Sequence, residues 1–500
     1  MPLTKAVVQP NRDESTPPAR HDEFLGHPKG LFVLFFAELW ERFSYYGMRA
    51  LLVLYMVKAL QYADARATSI YGAYIGFVYA TPLVGGMLAD RFLGYRKAIF
   101  LGGSLMVLGH FAMAIEMPIF FYGAMGLIIT GNGFFKPNIS TMVGSLYDKG
   151  DPRRDGAFTI FYMGINVGAF LAGLACGYVG EEWGWHYGFA LAGIGMVGGL
   201  TVFVRGQKHL GTHGLPPRPE ALGENVGGIP KTWLIYLGII AFVPLAGYLL
   251  TQPTWVQYAV YTIGPLMVIY VIGEALRCEP GERGGLFVLL VLIFFSITFW
   301  ACFEQAGSSM TLFTDRHVDR HFMGWNVPVT WFQSINPAFI VLLSIPFSML
   351  WLKLGKANLN PSASFKFSLA LLQMAGGFVA MVIAAQSAKD GGQAHLLWVV
   401  LAYFLHTSGE LCLSPVGLST VTKLSPVRLC GLMMGMWFLS NAFAGVLSGQ
   451  IAAMTGKEAG YSEVFQGIVY FAGAAGVLLL VLTLFLRKVE QRAMAHHGAR

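Results

Sequence analysis

The sequence predicts an all-α polytopic membrane protein of fourteen spans, arranged as two six-helix bundles with two helices inserted between them. Three observations predict it. Of 500 residues, 55% are hydrophobic and only 12% charged, where an average soluble chain carries about 25% charged residues. The apolar residues come in long runs, such as 286–303 and 469–486, close to the roughly 20 residues that cross a bilayer core. Lysine and arginine are concentrated in alternate loops. Glycine (61) and proline (23) lie inside the apolar runs, as membrane helices tolerate.

The elements follow in order. Residues 1–28 are polar, with Asp13, Glu14, Pro17 and Pro18, and are expected to be a disordered N-terminus without a cleavable signal. The first bundle is expected over 29–204, with spans near 29–59, 68–90, 97–115, 118–146, 157–180 and 186–204. A linker region, 205–284, begins with a Gly-, Pro- and His-rich stretch and carries the inserted spans near 232–251 and 255–276. The second bundle is expected over 285–486, with spans near 285–313, 327–354, 364–386, 394–422, 428–453 and 464–486. A basic tail, 487–500, ends the chain.

Orientation follows from the loops. With the N-terminus in the cytoplasm, that side receives Arg91, Arg96, Lys97, Arg153, Arg154, Lys149 and many more. The outer side receives only Lys58, Arg66, Arg316, Arg320, Lys389 and Lys457. The positive-inside rule then puts both termini in the cytoplasm. This also accounts for the net charge of +7. No basic patch interleaved with aromatics points to nucleic acid. None of the five cysteines forms a CxxC pair, so neither a disulfide nor structural zinc is expected.

Two six-span halves suggest a transporter with a site near the midplane. The informative residues are charges inside spans: Glu38, Glu41, Arg42, Arg49, Lys136, Glu304 and Glu410. Each would cost about 2.5–3.5 kcal/mol at a helix centre, so they must face one another or a wet cavity. At 100° per residue, Glu38, Arg42, Tyr45 and Arg49 share one narrow stripe of the first helix, flanked by Glu41 and Tyr46. Guanidinium groups suit bidentate carboxylate recognition, although such a seam could also be a purely structural lock. The acids outnumber the bases by one, so one carboxylate is expected to carry a proton. Lys136 lies beside Pro137, Glu410 near Pro415 and Asn336 before Pro337. Such breaks free backbone polar groups beside a ligand site.

These motifs resemble the proton-coupled oligopeptide transporter family, a branch of the major facilitator superfamily. The resemblance runs from about residue 29 to 488. It rests on Glu38-x-x-Glu41-Arg42-Phe43-x-Tyr45-Tyr46-Gly47, the loop from Gly85 to Arg96, Phe161-Tyr162-Met-Gly164-Ile165-Asn166-x-Gly168, Phe303-Glu304-Gln305 and the segment with Glu410 and Pro415. The resemblance implies the major facilitator fold, the inserted pair being that of the bacterial branch. It implies import of di- and tripeptides by proton symport across the cytoplasmic membrane of a bacterium. Glu38, Glu41, Arg42, Arg49 and Glu304 would serve proton coupling. Arg42, Lys136 and Tyr45 would approach the peptide carboxylate, and Glu410, Asn166 and Asn336 its amino end. Tyr46, Tyr79, Trp300 and Trp437 would wall the pocket, with Glu304 among the lining residues. Arg49–Glu304 and Lys136–Glu410 would be gating salt bridges. The partners would be small peptides, protons and membrane lipid. The chain would act as a monomer and need no cofactor, the proton being its coupling ion. Animal members carry a histidine in the second helix where this chain has Gly72, so coupling should rest on carboxylates.

Other signals are weaker. Gly193-Ile-Gly195-Met-Val-Gly198 matches a dinucleotide fingerprint but lies in an apolar helix. No phosphate-binding GxxxxGK[ST] loop occurs. The run from Asp315 to His321 reads as a solvated loop, so no metal is expected. Nothing suggests an enzyme. The rivals are a carrier of nitrate or another small anion, which would leave Glu410 without a cationic partner, and a peptide receptor that does not transport.

Overall fold

A computed structural model of the chain describes residues 23–148, 150–456 and 460–498. The expected disorder of residues 1–22, and the loop lysines Lys149 and Lys457, lie outside the described residues. Residues 23–28 are ordered: Glu23–Phe24 pairs antiparallel with His27–Pro28, and Arg153 donates to Glu23 at 3.0 Å.

Six helices form the first half: α1 (Lys29–Lys58), α2 (Asp64–Leu88), α3 (Tyr95–Met113), α4 (Pro118–Ser145), α5 (Arg154–Glu182) and α6 (Trp185–Gly206). The inserted pair is α7 (Lys231–Thr251) and α8 (Pro253–Leu276). The second half holds α9 (Pro280–Phe303), the short α10 (Ser309–His317), α11 (Ile335–Lys356), α12 (Ala363–Ser387), α13 (Leu396–Leu424), α14 (Cys430–Met454) and α15 (Tyr461–Gly498). Among the described residues, twelve spans are long and apolar enough to cross a bilayer. The other two long helices are α1, with four charges in its middle, and α3, with only 19 residues and Arg96-Lys97 at its start. The chain is therefore an all-α polytopic membrane protein with fourteen long helices.

Three details depart from the expected spans. The span expected at 285–313 is broken by a tight turn, Glu304–Gly307, between α9 and α10. Gly307 lets Tyr71 approach the break, because a Cβ there would come within 2.0 Å of the Tyr71 hydroxyl oxygen. The span expected from 327 begins with a 3-10 segment, Val329–Ser334. Helix α15 runs on through Gly498, so the basic tail continues the last span as helix. Between α2 and α3, Gly94 takes φ +72° with Leu215 and Pro216 packed against it, a conformation glycine adopts without strain.

The halves meet at the end opposite the termini. There Lys58 pairs with Asp315 at 2.6 Å and Arg316 with Asp64 at 2.5 Å. Glu181, at the end of α5, accepts from the backbone N–H groups of Val329 and Thr330 at 3.0 and 2.8 Å. Ser334 donates to the carbonyl of Phe170 at 2.9 Å. Further bonds between the halves run from Trp331 and Gln333 to the carbonyls of Leu174 and Ala50, and from Arg49 to Glu304.

Helices α2 and α14 cross closely there. A Cβ on Gly72 would stand 2.7 Å from the Gly449 Cα and 2.8 Å from the Gly445 carbonyl oxygen. No side chain fits, which explains why Gly72 occupies this position. Gly86 on the same helix is the contrast: its Cβ would meet Pro137 carbons at 3.6 and 3.8 Å, an ordinary contact. Gly72→Ala should therefore destabilise by about 1–3 kcal/mol through overpacking, while Gly86→Ala should be neutral or mildly stabilising. Thermal unfolding of the two variants in detergent tests this. Equal midpoints would contradict so close a crossing.

Candidate functional site

The in-span charges fall into two groups and a free pair. The first group is on α1. Arg42 Nε lies 3.1 Å from Glu38, one turn away, and also hydrogen-bonds Glu41. Asn132 of α4 donates to Glu41 at 3.3 Å. Glu38, Glu41 and Arg42 are almost wholly buried. Glu38 Oε2, Arg42 Nη2 and Asn132 Oδ1 have no partner among the described residues.

The second group joins the halves. Arg49 Nη2 contacts Glu304 Oε2 at 2.5 Å. Arg49 Nε donates to the Tyr71 hydroxyl at 2.8 Å, and that hydroxyl donates to Glu304 at 3.2 Å. Glu304 opens the tight turn after α9, so the helix break aims its carboxylate at α1.

A cavity of about 310 Å³ lies between the halves, at the small end of the range for ligand sites. It is lined by Tyr46, Arg49, Tyr79, Lys136 and Asn166 from the first half. The second half supplies Trp300, Glu304, Asn336, Glu410 and Trp437. Its bases thus come from one half and its acids from the other. Arg49 and Glu304 satisfy each other. Lys136 and Glu410 do not: Lys136 Nζ sits 4.6 Å above the Tyr79 ring, and Glu410 accepts from Asn336 at 2.9 Å. The expected Lys136–Glu410 salt bridge is absent among the described residues. The cavity stands between these two side chains.

Arg42 and Tyr45, expected at the ligand, do not line the cavity. Arg42 is turned to Glu38 and Glu41, with its guanidinium 5.4 Å from the Tyr45 ring centre, and Tyr45 is buried in the core of the first half. Asn166 reaches the cavity while donating to the carbonyl of Tyr162, one turn earlier, at 3.0 Å. The lining includes residues that were not singled out: Tyr162, Phe303, Gln333, Tyr403, Ser414 and Asn441. Tyr162 and Phe303 lay inside quoted motifs. Gln333 and Asn441 are polar residues in largely apolar runs, a faint signal. Trp300 Nε1 and Ser414 Oγ, both on lining side chains, have no partner among the described residues. The cavity can thus engage a ligand with a positive end, a negative end and further hydrogen-bonding groups.

Known proteins resemble the chain over most of its length. The model of the POT family matches residues 96–466. The chain is 38% identical to the peptide transporter YePEPT of Yersinia enterocolitica subsp. palearctica, covering 86% of this chain and 89% of that one. It is 36% identical to a di-/tripeptide transporter of Lactococcus lactis subsp. cremoris, covering 93% and 96%. A variant of a peptide transporter POT crystallised with alafosfalin superposes with a TM-score of 0.81, at 37% identity, over 93% of this chain and 96% of that one. Matches of this extent take in both halves and the inserted pair, and the chain belongs to the POT family, the proton-coupled oligopeptide transporters.

Proposed function

We propose that the chain imports di- and tripeptides together with protons, by alternating access, as a monomer in the cytoplasmic membrane of a bacterium. One observation carries the substrate reading. Lys136 and Glu410 face the same cavity from opposite halves, and neither has an opposite charge within salt-bridge distance among the described residues. A peptide zwitterion supplies both missing charges. Its carboxylate goes to Lys136, and its ammonium to Glu410 and Asn336. Binding then draws the halves together, which is the motion a carrier needs. The peptide transporters among its relatives support the same substrate class. The lysines and arginines of the terminus-side loops support cytoplasmic termini.

Proton coupling rests on Glu304. With Glu304 ionised, its pair with Arg49 ties α1 to the turn after α9 and holds the far end closed. A proton on Glu304 removes its charge and releases Arg49, so the halves can part there. Glu38 supports a second proton-accepting position, since its Oε2 is buried with no partner among the described residues. One proton moving down about 100 mV and one pH unit supplies about 3.7 kcal/mol, enough for roughly 500-fold accumulation of a neutral peptide.

Purified protein in liposomes should concentrate a labelled dipeptide when given an inward proton gradient and an interior-negative potential. Retained binding without accumulation would refute symport. Glu304→Gln should abolish gradient-driven accumulation and keep dipeptide affinity within about threefold. Accumulation as in the unchanged protein would remove Glu304 from the coupling step. Glu410→Ala should weaken a dipeptide by about 30-fold or more, the cost of stranding a buried charge. It should barely affect the N-acetylated peptide. Equal losses for the two ligands would argue against recognition of the amino end.

A further inference from the structure

At the terminus end of the second half, a polar pocket of about 370 Å³ opens between α12, α13 and α15. It shares no lining residue with the cavity between the halves, although Pro415 and Ser419 here directly follow Ser414 and Leu418 there along α13. Its charges are Lys366, Lys423, Arg487 and Glu490, an excess of two positive charges. Lys366 and Glu490 are 7% and 8% exposed, a depth at which ionic side chains need partners. Lys366 Nζ donates to Asn360 at 2.9 Å and lies 4.3 Å above the Trp351 ring. Glu490 Oε1 accepts from the backbone N–H of Ala363 at 3.4 Å, and its Oε2 has no partner among the described residues. Lys423 and Arg487 have no hydrogen-bond or salt-bridge partner among the described residues. The first half treats its corresponding corner differently. There Arg96 donates to the carbonyls of Gly211 and His213 at 2.5 and 2.7 Å, so the chain itself satisfies the cation.

A second groove, about 620 Å³, adjoins this pocket and shares Arg487 and Gln491 with it. The rest of its wall is largely apolar: Phe365, Leu480, Val481 and Leu484, all exposed on the flank of the bundle. Arg487 lies about 39 Å along α15 from Tyr461, beyond the roughly 30 Å hydrocarbon core and therefore at headgroup depth. A cationic pocket at headgroup depth thus opens onto an apolar groove that runs back into the hydrocarbon.

We propose that this corner binds one anionic glycerophospholipid with a hydroxylated headgroup, of the phosphatidylglycerol class. Lys423 and Arg487 take its phosphodiester. A headgroup hydroxyl donates to Glu490 Oε2, and an acyl chain follows Leu480, Val481 and Leu484. The net charge favours an anionic lipid. The contiguous groove favours a lipid over free phosphate, and the unpartnered carboxylate oxygen favours a headgroup that carries a donor.

Native mass spectrometry of the full-length protein in detergent tests this, with phosphatidylglycerol, phosphatidylcholine of the same acyl chains, glycerophosphoglycerol or inorganic phosphate added. Phosphatidylglycerol should be retained in preference to all three. The double variant Lys423→Gln/Arg487→Gln should retain it about 30-fold more weakly, since each cation near the surface contributes about a factor of five. Lys353→Gln/Lys356→Gln, on exposed residues of α11, should change retention by less than about threefold. Both variants replace side chains outside the buried core, and unchanged dipeptide binding shows that each is folded. Equal retention of phosphatidylcholine would overturn the proposal, as would an equal loss in the α11 variant. So would inorganic phosphate or glycerophosphoglycerol binding as tightly as the lipid, which would make the corner a soluble-anion site.

Discussion

The ion pair between Arg49 and Glu304 governs this structure. Both side chains sit inside the bilayer, where an unpaired charge is costly, and removing one partner of such a pair typically costs about 3–5 kcal/mol. Much local architecture serves the pair. The helix break after Phe303 aims Glu304 at α1, Gly307 leaves room for the Tyr71 hydroxyl, and that hydroxyl bridges the two charges. The far-end contacts and the cavity lie on opposite sides of it. In the coupling proposed above, a proton on Glu304 removes the carboxylate's charge from this lock, and the Arg49 cation left behind keeps the Tyr71 hydroxyl as a partner.

The charged stripe of α1 thereby divides into two devices. Its first part, Glu38 to Arg42, is closed within the first half by Asn132. Its second part, Arg49, reaches across to the second half. The helix gives both the same direction, and the different neighbours give them different work. Lys136 and Glu410 complete the arrangement: one pair already made, the other held apart by the space a ligand would enter.

Much of this was legible in the sequence. Apolar runs gave the fourteen helices, because each must satisfy its own backbone in lipid. Charges in those runs gave Glu304, Glu410 and the α1 stripe, because such charges survive only at an interior face. What could not be read was which interior a face meets. The wheel that aligns Arg42 with Arg49 cannot tell that Arg42 turns to Glu38 and Glu41 while Arg49 meets Glu304. The family resemblance implied Arg42 and Tyr45 at the ligand, and they do not line the cavity. Tyr162, Gln333, Tyr403 and Asn441 were missed because an uncharged polar residue in a span is common and unremarkable. The break at Glu304 was missed although the polar stretch from Glu304 to Ser309 interrupts the apolar run there, because a span placed by length alone passes through it.

The inserted pair has a mechanical consequence. Helix α7 lies against α4, so closely that the Gly126 position faces the Val243 carbonyl, while α8 straddles α2 and α14, with Gly264 against Phe443 and Tyr261 bonded to Gln450. Only Gln252 separates the two helices. One leg is therefore strapped to the first half and the other to the seam between the halves. In the alternating access proposed above, such a strap would act as a travel stop, limiting how far the two bundles can swing apart.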